Sequence, residues 1–147
     1  MSFKAFYSGA NVIINVKGGK FKAMTCAWAT MISYESVGLL MGEQSDTAKS
    51  LRPGDIVGIS SLASGQKNIA LAFGEKHSLS FDKSHLAELE VLDSAYVIKG
   101  AKTQMKGEVV DIIHLPTAEA DYFVIVNLLS KKEDANKKFM SYSEIEE

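Results

Sequence analysis

A stretch near the start of the chain most limits its possible folds, because it has the pattern of a long β-hairpin. Residues 11–16 form a short segment rich in β-branched side chains. Lys17-Gly18-Gly19-Lys20 follows it, and its glycines supply the positive φ angles of a tight turn. Residues 21–32 then alternate as one long strand whose faces are both apolar or small. Such a strand is typical of a sheet that is covered on both sides.

The rest of the chain continues this β-rich pattern with short helices between the strands. Residues 38–42 and 55–62 read as strands, and so do β-rich runs at 91–101, 104–114 and 121–129. Capping residues and Pro53 bound a short helix over 45–51, and a second helix covers 66–73, where Ile69, Ala70 and Phe73 share one face and Gly74 ends it. We therefore predict a β-rich α+β domain, a β-barrel being one form of it.

Composition narrows the function classes. The chain has 147 residues, a formal net charge of −2 and no strongly basic stretch, which favours one domain and argues against a nucleic-acid partner. No apolar run approaches the roughly 18 residues of a membrane span, so we expect a cytoplasmic protein without a membrane partner. From Ser130 onward the sequence is charged, which predicts a domain over 1–129 and a tail over 130–147. The tail could still dock through Phe139, Met140, Tyr142 and Ile145, and a partner subunit is one place for it.

Common enzyme motifs are absent from the sequence. Its histidines are scattered, and its single cysteine, Cys26, excludes an internal disulfide and a zinc site built from several thiolates, so we expect no metal. There is no nucleophile elbow, phosphate loop or dinucleotide fingerprint. Cys26 is either a nucleophile or, as is commoner in an apolar strand, a small buried hydrophobe.

Three motifs in order carry a family resemblance. They are Met24-Thr25-Cys26-Ala27-Trp28, then Ser45-Asp46-Thr47, and then a strand leading to Gln66-Lys67-Asn68-Ile69-Ala70-Leu71-Ala72-Phe73. In this order and spacing they resemble the flavin reductase-like family, whose fold is the FMN-binding split β-barrel. The resemblance is clearest over residues 23–74.

This resemblance implies a homodimer with FMN near the subunit interface, and either flavin reduction by NADH or NADPH or electron carriage with a protein donor. Met24, Thr25, Cys26 and Ala27 would line the flavin ring, largely through backbone groups, with Trp28 close by. Ser45 and Thr47 would meet the phosphate, as free N–H groups at a helix start also favour an anion. Lys83 resembles a basic position near the phosphate, and Lys76 is its nearest competitor.

Other interpretations of the same residues stay open. Ser45 and Thr47 could be ordinary helix caps, and Met24 and Trp28 could be core residues. Many family members have Gly-Asp-His before the last strand, where this chain has Ala120-Asp121-Tyr122, so the use of a nicotinamide is in question. A binding or assembly domain without flavin is the main alternative function, and a pyridoxamine phosphate oxidase-like protein is a third.

Overall fold

The computed structural model of the chain describes residues 3–6, 9–42, 46–75, 86–116, 122–141 and 143–144. Its first strands are β1 Asn11–Lys17, β2 Lys20–Cys26, β3 Ala29–Ser33 and β4 Ser36–Met41. Helix α1 Asp46–Ser50, strand β5 Ile56–Ser61 and helix α2 Lys67–Glu75 follow. The remaining strands are β6 Leu89–Leu92, β7 Ala95–Ile98, β8 Thr103–His114 and β9 Tyr122–Glu133.

The main sheet is antiparallel and has the order β2-β1-β5-β8-β9-β4-β3. Its two edge strands, β2 and β3, are consecutive in the chain and are joined only through Ala27 and Trp28. The amide of Leu40 on β4 donates to the carbonyl of Trp28 at 2.8 Å, so the edges converge at this corner. The pairing of the described strands does not close the ring, and the fold is the predicted split β-barrel.

The predicted hairpin is confirmed, but the predicted single strand over 21–32 is wrong. Gly18 and Gly19 have φ angles of 59° and 75°, which suit a tight turn between β1 and β2. The second strand of the pattern is broken at Ala27 and Trp28, because the chain leaves one edge of the sheet there and enters the other. Alternation alone gives no sign of this change of edge.

The run at 91–101 also differs from the prediction, because it forms part of a separate hairpin, β6–β7. Asp93 and Ser94 make its turn with φ angles of 50° and 74°. The hairpin lies against β5, where the carbonyl oxygen of Tyr96 would be 1.8 Å from a Cβ placed on Gly58. A side chain at position 58 would therefore push the hairpin off the sheet.

Two apolar clusters lie on opposite faces of the sheet. The first fills the barrel and includes Ile13, Cys26, Leu39, Ile59, Met105 and Val126. The second lies between β1, β2 and α2 and includes Val12, Ile14, Ala23, Ala70, Phe73 and Met140. The predicted buried face of the second helix is confirmed, since Ala70 and Phe73 are buried and Ile69 packs beside them.

The charged segment after Ser130 begins inside β9, which runs to Glu133 rather than ending at residue 129. The strand continues through these charged residues because their backbone groups form hydrogen bonds with β8. Beyond it, Phe139 bridges to Ala63 and Met140 is buried in the second cluster, so this part docks on its own chain. Tyr142 and Ile145 lie outside the described residues, and the division into a domain and a tail stays a prediction.

Candidate functional site

Strand β2 is the centre of the candidate site, and both helices pack against it. Its alternation places Met24 and Cys26 on the face toward the barrel interior, together with Ala48 and Leu51 from α1 and the segment after it. Thr25 points to the opposite face, where its hydroxyl donates to the carbonyl of Ala70 in α2 at 2.6 Å. The structure thus brings the Met24 segment and α1 together within one chain.

Cys26 has the environment of a structural residue. It is 2% exposed, and its thiol donates to the carbonyls of Trp28 at 3.5 Å and Leu40 at 3.4 Å. Burial raises the pKa of the thiol to about 12. Because the thiolate is the nucleophilic form, this cysteine is protonated at neutral pH and is unsuited to nucleophilic catalysis.

Ala27 and Trp28 lie on the surface at the corner where the two sheet edges converge. Both are exposed, and the Trp28 side chain retains 48% of its accessible area. The alternative that Trp28 is a core residue is therefore wrong. An exposed indole beside a break in the strand can contact a planar ligand through its ring and through the neighbouring backbone.

Thr47 has an unusual environment for a hydroxyl group. Its side chain is 1% exposed, and its Oγ1 is a buried oxygen for which the described contacts supply no hydrogen-bond partner. A buried hydroxyl without a partner costs about 1–3 kcal/mol, so such groups are rare without a ligand or a water. The donor set therefore fits an acceptor such as a phosphate oxygen at this position.

Three other predicted positions cannot be placed in this geometry. Ser45, Lys83 and its competitor Lys76 lie outside the described residues. The side chain of Asp46 is likewise not described. The predicted contacts of Ser45 and Lys83 with a phosphate therefore stay predictions.

Two aromatic rings at the end of the sheet form a pair that the sequence does not reveal. His114, the last residue of β8, is the cross-strand partner of Tyr122, the first residue of β9. Their ring centroids are 5.4 Å apart at an interplanar angle of 69°. Tyr122 is also paired with Met41, so it lies at the strand ends that lead toward α1.

Two other kinds of feature are absent from the described ranges. They contain no cluster of three histidine, cysteine or acidic side chains that could hold a metal ion. They also contain no helix that is long and apolar enough to cross a membrane.

Comparison with known proteins identifies the family. The sequence profile described as "Flavin reductase like domain" matches residues 3–143. A search of curated proteins finds no match.

Solved structures give the same result for the fold. A flavoredoxin from Methanosarcina acetivorans superposes with a TM-score of 0.73 at 18% identity, covering 86% of this chain and 68% of that chain. An NADH:FAD oxidoreductase from Streptomyces globisporus superposes with a TM-score of 0.76 at 17% identity, covering 92% of this chain and 83% of that chain. An FMN-binding protein from Thermus thermophilus superposes with a TM-score of 0.76 at 16% identity, covering 91% of this chain and 77% of that chain.

Proposed function

The chain belongs to the flavin reductase-like family, and from this premise we propose that it binds FMN and acts in electron transfer. It works either as a flavin reductase that uses NADH or NADPH, or as a flavoredoxin-like carrier with a protein donor. When bound, the flavin supplies the redox chemistry, while the protein positions the ring and controls access of water.

The hydroxyl of Thr47, which has no hydrogen-bond partner among the described residues, is the observation that carries this proposal. It is buried on α1, and α1 packs on the same strand that holds Met24 and Cys26. A phosphate oxygen would accept a hydrogen bond from this hydroxyl and remove the cost of the unpaired group. We infer that Thr47 holds the flavin phosphate, with Ser45 and Lys83 as further predicted contacts.

The ring would lie against the strand end at residues 24–28. The side chains of Met24 and Cys26 pack toward the barrel interior, and the Thr25 hydroxyl donates to α2. The backbone of this segment and the exposed Trp28 are therefore the groups that can contact the ring. The hydrogen bond from Thr25 to Ala70 fixes the strand in place. These residues orient the ring and supply no acid or base.

A homodimer is part of the proposal and has a surface to form on. Trp28, just before β3, lies next to Leu40 of β4, and strand pairing continues this row from Leu40 to Phe123 of β9 and Ile113 of β8. Trp28 and Ile113 are 48% and 43% exposed, and the other two are half-buried. An apolar band of this kind marks a contact surface, and it is continuous with the proposed ring site.

The dimer is tested by light scattering at micromolar concentration. We expect a dimeric mass for the native chain and a monomeric mass for Ile113→Glu, because the charge would be buried in the interface. Val91→Glu is the matched control, since Val91 is 64% exposed on the separate hairpin. A monomeric native chain, or a dimer that tolerates Ile113→Glu, would contradict this surface.

The flavin proposal is tested by titration and by reduction. We expect FMN added to the purified protein to be retained on gel filtration, and anaerobic NADH or NADPH to bleach it if the chain is a reductase. Retention without bleaching by either nicotinamide assigns the carrier role. A protein that does not bind FMN would instead be the binding or assembly domain considered from the sequence.

A further inference from the structure

Two buried side chains hold the corner between β2 and β3. The carboxamide of Asn11 on β1 donates to the carbonyl of Cys26 at 3.0 Å, and Asn11 is only 2% exposed. The thiol of Cys26 donates to the carbonyls of Trp28 at 3.5 Å and Leu40 at 3.4 Å. The amide of Leu40 donates to the same Trp28 carbonyl at 2.8 Å. The end of β2 is therefore tied to β1 on one side and to β4 on the other.

These contacts leave the corner with more open hydrogen-bond donors than acceptors. The carbonyls of Cys26 and Trp28 both accept hydrogen bonds from the chain itself. In the part of the chain that the structure describes, the amides of Ala27 and Trp28 have no acceptor, and the carbonyl of Ala27 has no donor. Both residues are exposed, so within these ranges two N–H groups and one carbonyl remain for water or a ligand.

Asn11 has a close counterpart on the same strand. Asn15 lies four residues further along β1, which places both side chains on the strand face of Ile13, inside the barrel. Asn15 is also 2% exposed and donates to a backbone carbonyl, that of Ile56 at 2.9 Å. A buried carboxamide needs such a bond to offset its desolvation, so the two asparagines should contribute similarly to stability. They differ in the segment that they hold, since Ile56 begins β5 and Cys26 ends β2 beside the exposed corner.

We propose that Asn11 is a positioning residue for the flavin ring, and that it acts through the corner that it holds. With the carbonyls of Cys26 and Trp28 engaged by the chain, the amides of Ala27 and Trp28 are the groups left to donate to the ring. The edge of a flavin ring carries more acceptor oxygens and nitrogens than N–H groups, so it matches this excess of donors. The Cys26 thiol supports the same arrangement from the side of β4. This inference rests on the proposed function.

Donors held in this way would favour the reduced ring over the oxidised ring. Two-electron reduction with uptake of one proton adds one negative charge to the ring, and N–H dipoles directed at added charge stabilise it. Loss of the Asn11 carboxamide should therefore weaken the binding of reduced FMN more than that of oxidised FMN. An asparagine with only a structural role would lower stability and leave this ratio unchanged.

The first test compares Asn11→Ala with Asn15→Ala in the protein without flavin. We expect both changes to lower Tm by a similar amount, because each removes a buried hydrogen bond. Trp28 is the only tryptophan of the chain, so its fluorescence reports directly on the corner. We expect lower Trp28 anisotropy and stronger quenching by acrylamide in Asn11→Ala alone. Equal Trp28 signals in the two variants would show that Asn11 does not hold the corner.

The second test measures the Kd of oxidised FMN by fluorescence titration and the midpoint potential of bound FMN by dithionite titration against a reference dye. We expect Asn11→Ala to weaken oxidised FMN by about tenfold, since a lost hydrogen bond costs about that much. Reduced FMN should lose about tenfold more, which lowers the midpoint potential by about 30 mV for a two-electron couple. Asn15→Ala should leave the Kd and the potential as they are in the native chain.

Cys26 provides a second pair of variants in case Asn11→Ala does not fold. Cys26→Ser keeps a hydrogen-bond donor in place of the thiol, whereas Cys26→Ala removes the donor. We expect Cys26→Ala to lower the Trp28 anisotropy and the midpoint potential more than Cys26→Ser does. The reverse order, or equal values for the two variants, would overturn the role of the corner.

The inference and the proposed function fail in different ways. If the native chain binds FMN, and Asn11→Ala and Asn15→Ala change its Kd and potential equally, Asn11 is not a positioning residue and the flavin function stands. If the native chain does not bind FMN, the flavin function fails and the role of Asn11 toward the ring fails with it. The Trp28 measurements then still decide whether Asn11 holds the corner.

Discussion

Replacing Thr47 with valine should move stability and flavin affinity in opposite directions. The two side chains have almost the same shape, and their helix propensities are similar, so the change removes little besides the hydroxyl. In the protein without ligand Thr47 is 1% exposed, and its hydroxyl is buried with no partner among the described contacts. Removing it should raise the free energy of unfolding by about 1 kcal/mol, which is roughly 3 °C in Tm for a chain of this length.

The same change should weaken FMN binding by about tenfold to a hundredfold, because a hydrogen bond to a charged group contributes about 1.5–3 kcal/mol. Flavin fluorescence quenching gives the Kd, and thermal unfolding of the protein without flavin gives Tm. A lower Tm for Thr47→Val, or an unchanged Kd for FMN, would refute the assignment of this hydroxyl to the ligand.

Thr103→Val is the matched control for Thr47→Val. Thr103 is fully buried, and its hydroxyl donates to the carbonyl of Ala5 at 2.7 Å. Its loss leaves that carbonyl without its partner and should lower stability by about 1–3 kcal/mol without changing the affinity for FMN. Opposite signs of the change in Tm for the two threonines would show that only one of them has a partner in the unliganded protein.

Three further predictions concern other parts of the fold. The Cys26 thiol, whose pKa burial raises to about 12, should resist a thiol reagent at pH 8 in the native protein and react on unfolding. The amides of Gly65 and Ser141 lower the pKa of the half-buried Glu144 carboxyl below its ordinary 4.5. Its stabilisation is therefore present above the unfolded pKa and lost as the pH falls through the folded value, so the Tm difference between the native chain and Glu144→Gln should vanish in acid. Gly58→Ala should destabilise the fold by about 3 kcal/mol or prevent folding, as measured by urea unfolding, because its Cβ would collide with the carbonyl of Tyr96.

Local chemistry made part of the site predictable from the sequence. The order of the three motifs indicated the family, and the capping residues before Leu51 indicated a short helix that the structure has at Asp46–Ser50. The sequence could not show that Thr25 donates to α2 or that the hydroxyl of Thr47 lacks a partner in the described part of the chain. Both depend on which segments pack together, and a linear pattern does not contain that information.

By itself the sequence determined the elements whose signals are local: the hairpin at Gly18-Gly19, the buried face of α2, the β-rich class of the fold and the family motifs. Period-two alternation follows from the geometry of a single strand, so it can be recognised in the sequence without knowing which strands lie beside it. Only the tertiary structure decided where the strand of residues 21–32 breaks, because that break depends on both edges of the sheet meeting at Trp28. Only the tertiary structure brought Lys17 of the hairpin to the end of α1, because residues distant in the sequence come into contact only after the chain has folded.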